Sequence, residues 1–171
     1  MDKRIPSGIE GLDRLIGGGF PKGSSILVCG NPGTGKTVFS AQFLYKGATV
    51  QGENGVYVSF GESRETFVSF MKTFGFDFEK LEADERFAFL EMITGRKGIH
   101  SDVIKIFLEK VIDLEAERLV IDPITAISQA YEDTIDARTL THTILGKVIR
   151  EANCTTLMVS EVPAGNNSIG Q

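Results

Sequence analysis

The chain has 171 residues, 42% of them hydrophobic and 24% charged, a balance that fits one soluble globular domain with a substantial core and excludes fibrous and disordered classes. Eighteen Lys and Arg stand against 23 Asp and Glu, a formal net charge of −5, and with no basic block or tail nucleic acid is not an expected partner. Cys29 and Cys154 both lie in apolar stretches and suit packed strand positions in a reducing compartment. The longest uncharged apolar runs are strand-length and the N-terminus lacks a signal-peptide core, so a cytoplasmic protein without membrane insertion is expected.

Taken in chain order, β-branched runs alternate with helical patterns. Strands are expected at Ser25–Cys29, Val56–Phe60, Phe87–Glu91, Leu119–Ile121 and Thr155–Ser160. Helices are expected at Thr37–Val50, Arg64–Phe74, Asp102–Glu115 and Ile135–Ala152, with a stripe such as Val103, Phe107, Val111 and Leu114 spaced by three or four. This alternation predicts an α/β fold with a mainly parallel sheet flanked by helices. Glycine-rich breaks at Gly17–Gly19, Gly52–Gly55 and Gly95–Gly98 are too short to be linkers, so one domain over residues 1–171 is expected.

The first strand runs into Gly30-Asn31-Pro32-Gly33-Thr34-Gly35-Lys36-Thr37-Val38, which satisfies G-x-x-x-x-G-K-[ST] between a strand and a helix. Glycines let successive N–H groups turn inward, and the helix starting at Lys36 adds its positive end. Lys36 is expected to bridge the β- and γ-phosphates, the Thr37 hydroxyl to ligate Mg²⁺, and the Val38 N–H to reach the α-phosphate. Asn31 through Val38 are thus the candidate nucleotide site. ATP is favoured over GTP because no N-K-x-D base-reading motif occurs.

Farther on, Arg118-Leu-Val-Ile-Asp122 is an apolar strand ending in an acid. Downstream of a phosphate loop, that acid is placed at the strand's C-terminal edge, where Asp122 can hold Mg²⁺ opposite Thr37. His100 and His142 have no ligand-spaced partners, so solvated or helix-face positions are expected. Phe67, Phe70, Phe74, Phe76 and Phe78 read as core or subunit packing, since the residues interleaved with them are mostly acidic.

Read together, Ile5-Pro-Ser-Gly-Ile-Glu-Gly-Leu-Asp13, Leu15-Ile-Gly-Gly-Gly-Phe-Pro-Lys-Gly23, the phosphate loop, Val56-Tyr-Val-Ser-Phe-Gly-Glu-Ser63, Leu119-Val-Ile-Asp-Pro-Ile-Thr125 and Thr156-Leu-Met-Val-Ser-Glu161 resemble the RecA superfamily, most closely its KaiC-like ATPases. The resemblance implies a RecA-type sheet, ATP bound between subunits and hexameric rings. It also implies that Ser160 and Glu161 stand where the superfamily senses the γ-phosphate, although both also suit an ordinary loop.

Two departures bear on chemistry. The family pattern reads Phe-Glu-Glu-Ser after the second strand, with the first glutamate polarising the attacking water; here it reads Phe60-Gly61-Glu62-Ser63. Glu62 is the remaining catalytic candidate, but strand alternation turns it away from the γ-phosphate unless the turn rearranges, and a helix-cap role beside Ser63 is the alternative. On this reading Gly61→Glu is expected to raise a weak activity. Second, the family core continues past Ser160-Glu161 through strands bearing basic residues that reach a neighbour's ATP, so a domain truncated at its C-terminal side is expected. The leading expectation is a slow Mg²⁺-dependent ATPase regulating oligomer or partner contacts. A nonenzymatic ATP switch, an autokinase and, least favoured, a DNA-repair ATPase are the alternatives.

Overall fold

A computed structural model describes residues 3–92, 101–126 and 153–161. In chain order these form β1 (Arg4–Ile5), α1 (Leu12–Leu15), β2 (Phe20–Pro21), β3 (Ser25–Gly30), α2 (Lys36–Lys46), a π-helical turn at Gly47–Gln51, β4 (Gly55–Ser59), α3 (Arg64–Lys72), α4 (Phe78–Ala83), β5 (Phe87–Glu91), α5 (Ser101–Asp113), β6 (Arg118–Asp122) and β7 (Thr155–Glu161). The expected helix at Ile135–Ala152, the Gly95–Gly98 break and both histidines lie outside the described residues.

Five strands make one sheet in the order β3-β7-β6-β4-β5, and each adjacent pair is parallel. Both faces are covered, which explains why β4 is buried at every position and reads as a continuous apolar run. On one face Tyr57, Val120, Leu157 and Val159 pack against Ala41, Phe43 and Leu44 of α2 and Phe67 and Met71 of α3. On the other, Val56, Val58, Leu119 and Ile121 pack against Val111, which belongs to α5. The α/β fold with a parallel, helix-flanked sheet is therefore as expected.

The short elements are those the sequence reading lacks. α4 has six residues, too few for a periodic signal, and starts where Asp77 Oδ1 accepts the Lys80 N–H at 3.1 Å. β1 and β2 form a two-residue antiparallel ladder, Arg4 with Pro21 and Ile5 with Phe20. α2 gives way to the π turn where Arg118 enters. That guanidinium is fully buried, donates to Glu53 Oε2 at 2.7 Å and to Phe43 O at 2.8 Å, and lies over the Phe43 ring. A Cβ at Gly47 would stand 2.4 Å from Arg118 Cδ and Nε, so the backbone must be bare there.

Among the phenylalanines, Phe67 and Phe78 are core residues, while Phe70 and Phe74 remain nearly half exposed, edge to face with each other. Cys29 lies on β3 as expected. Cys154 is packed but precedes β7, its thiol donating to Ala116 O at 2.7 Å.

Candidate functional site

The C-terminal ends of β3, β4 and β6 converge on one edge of the sheet, the place where parallel α/β folds leave a crevice. From β3 the chain passes through Asn31, Pro32, Gly33, Thr34 and Gly35, all exposed, into α2. Gly33 and Gly35 adopt φ of 79° and 85°, the left-handed region where a side chain would be strained. Gly35 is also the residue preceding α2 and offers no side-chain cap, and the first bond into the helix runs from Phe39 N to Gly35 O at 2.9 Å. The amides of Lys36, Thr37 and Val38 therefore point out of an uncapped helix end, a donor set suited to a phosphate chain.

Lys36 Nζ donates to Gly30 O at 2.9 Å and to Asn31 O at 2.8 Å, so the loop is closed over its own lysine. Thr34 reinforces the closure by donating from its hydroxyl to Asn31 O at 2.9 Å.

Opposite the loop, the Thr37 hydroxyl donates to Asp122 Oδ2 at 3.0 Å, joining two residues 85 positions apart. No cluster of three or more His, Cys, Asp or Glu suited to a metal exists among the described residues. One hydroxyl and one carboxylate leave the remaining positions of an octahedral ion to water and phosphate oxygens, which is the usual mode for Mg²⁺ beside a nucleotide. Thr37 and Asp122 fit that ion.

The same carboxylate oxygen accepts a second hydrogen bond, from the Tyr57 hydroxyl at 2.5 Å. Burial first, and then the negative charge of Asp122, hold the Tyr57 phenol well above its ordinary pKa, so it stays protonated and donates. Sequence reasoning missed Tyr57. The available signal was a polar-tipped ring between two valines in a buried strand, whose hydroxyl requires a partner once covered.

Glu62 follows β4 in a turn built on Ser59. Ser59, which pairs in register with Asp122, donates from Oγ to Glu62 O at 2.8 Å and accepts the Glu62 N–H at 3.0 Å. The backbone thus curls back over the Ser59 side chain. Burial, followed by the charge of Asp122, raises the Glu62 pKa from its ordinary value. Ser63, rather than Glu62, caps α3, accepting the Thr66 N–H at 3.2 Å. A Cβ at Gly61 would meet nothing within 4 Å. On β7, Glu161 pairs with Gly30 and Ser160 with Cys29, which sets Glu161 next to the start of the phosphate loop.

A family model described as ATPase: KaiC matches residues 5–171. The chain belongs to the KaiC ATPase family. It is 30% identical to a UPF0273 protein of Pyrococcus furiosus over 99% of this chain and 73% of that protein. It is 32% identical to the circadian clock oscillator protein KaiC of Prochlorococcus marinus over 93% of this chain but 32% of that protein. Among solved structures, a KaiC-like protein of Pyrococcus horikoshii superposes with a TM-score of 0.87 at 37% identity, covering 99% of this chain and 74% of that one. Membership makes this an ATP-binding domain of the RecA-like class. No helix among the described residues is long and apolar enough to cross a membrane.

Proposed function

We propose that the chain hydrolyses ATP slowly in a Mg²⁺-dependent reaction, and that its nucleotide state sets contacts between copies or with a partner protein. The observation that carries the reading is the Thr37–Asp122 hydrogen bond of 3.0 Å beside the open helix end. It holds a hydroxyl and a carboxylate together beside the amides that would take the phosphates of a bound nucleotide.

Bound Mg²⁺ would neutralise charge on the β- and γ-phosphoryl oxygens. Lys36 exchanges its carbonyl partners for phosphate oxygens and stabilises the charge that shifts to the β–γ bridge as the γ-phosphorus leaves it. The amides of Lys36 to Val38 orient the phosphate chain. Glu62 accepts a proton from the attacking water as its oxygen bonds to phosphorus, and a raised carboxylate pKa makes it the stronger base. Assembly of copies into a ring rests on the family resemblance alone and is tested by light scattering with and without ATP.

Gly61 favours one rival, a nonenzymatic ATP switch, because the space where the family pattern carries a carboxylate is open. Phosphate release by wild type and Lys36→Ala, with Mg²⁺ and at concentrations where oligomers form, separates the two. Turnover in wild type above the variant supports hydrolysis; tight ATP binding without such turnover supports the switch.

A further inference from the structure

We propose that Tyr57 is a positioning residue for the metal site: its hydroxyl locks the Asp122 carboxylate so that Oδ2 is held by protein donors and Oδ1 is left to face the ion or its water shell. The inference rests on the Mg²⁺ reading of Thr37 and Asp122 given above.

Asp122 is the last residue of β6, and a carboxylate at a strand end has rotational freedom unless something removes it. Two donors converge on its Oδ2. Thr37 comes from α2 at 3.0 Å and Tyr57 from β4 at 2.5 Å. They differ in rigidity and in role. Thr37 is itself a candidate ligand, and its oxygen turns to an ion when one binds. Tyr57 is 1% exposed and stays where it is. Its ring is stacked on Phe89 at 5.4 Å and packed on Phe67 at 4.6 Å. Parallel register fixes the reach as well: Ser59 pairs with Asp122 and Tyr57 with Val120, so Tyr57 and Asp122 share a face one strand apart and two residues out of step. The ring length spans that offset. The hydroxyl thus serves Asp122 as the partner of a metal ligand serves that ligand, by fixing its orientation before the ion arrives.

The test is calorimetric titration of ATP into the purified chain across a Mg²⁺ series, with EDTA as the zero point. Tyr57→Phe keeps the ring and removes the donor. It should leave metal-free ATP affinity within about twofold of wild type and raise the Mg²⁺ concentration for half-maximal binding about tenfold, the lower end of what loss of such a partner costs in metal sites. In the Asp122→Asn background Tyr57→Phe should add little. Phe89→Leu, which loosens the ring's packing but keeps the hydroxyl, should lower the melting temperature without moving the Mg²⁺ midpoint.

An unchanged midpoint in folded Tyr57→Phe overturns the proposal. So does a full additional shift in the double variant, or a Tyr57→Phe chain that fails to fold, which would assign the hydroxyl to stability. A wild type whose ATP affinity is indifferent to EDTA removes the Mg²⁺ reading itself, and that result is read without any variant.

Discussion

Ser59 holds Glu62 by both of its main-chain groups, giving a proton to the carbonyl at 2.8 Å and taking one from the amide at 3.0 Å. The clamp shapes the turn after β4, so the acid one position beyond the family's usual place is brought into the electrostatic reach of Asp122 and Tyr57. Glu62→Gln is therefore expected to lower ATP turnover by about 10²–10⁴-fold. Ser59→Ala, which frees the turn, should lower kcat with little change in KM for ATP. Gly61→Glu, which sequence alone favours as a gain, is expected to add nothing where Glu62 serves as the proposed base, because a second carboxylate would repel the first. Steady-state phosphate release from the four proteins checks all three outcomes.

Lys36→Ala should leave the fold intact and weaken ATP binding by about 2–3 kcal/mol, the worth of a charge-assisted phosphate contact. Calorimetry with Mg²⁺ measures the loss, and a circular dichroism melt without nucleotide confirms the fold. Equal affinity in the two proteins would remove the phosphate-loop assignment.

Gly47→Ala should destabilise the chain by about 1–3 kcal/mol through overpacking. The added methyl would meet the buried Arg118 side chain, which its bonds to Glu53 and Phe43 hold in place. Denaturant unfolding gives the value. A neutral result would mean that the π turn shifts to make room.

Burial pushes the Cys154 thiol up to about 12. A group whose folded pKa is raised favours the folded state below its unfolded value, and loses that contribution as pH rises through the folded one. Thiol-linked stability is therefore full below pH 9.0, the ordinary value, and falls between there and about 12. At neutral pH a thiol reagent should label the partly exposed Cys29 first and reach Cys154 only on unfolding. Peptide mass mapping of a timed reaction tests the order.

The alternation of apolar strands with three- and four-spaced helical residues was sufficient to read β3 to β7 and three of the helices, because the strands are long enough to leave apolar runs and the helices long enough to leave a period. α4 and the β1–β2 pair have two to six residues each and leave none. Lys36 and Thr37 stood out because their motif fixes residue type and spacing together, and Asp122 because it ends an apolar strand downstream of that motif; the fold brings Thr37 and Asp122 within hydrogen-bond distance. Tyr57 and Ser59 were not. Each looks like a strand residue, and its partner lies across a turn or a neighbouring strand, so only the register of β4 on β6 discloses the contact. For Glu62, strand alternation alone carries no sign of the turn that Ser59 Oγ makes with its main-chain groups.

Lys36, bonded to the carbonyls of its own loop, has two neutral partners to give up for charged ones when a nucleotide binds. When product departs, the ammonium falls back on two oxygens already within reach and no bare cation is stranded. Whatever tri- or diphosphate arrives must displace those same two bonds, so the lysine's toll is common to both. Any preference for one over the other then rests on what the phosphates meet after those two bonds have opened.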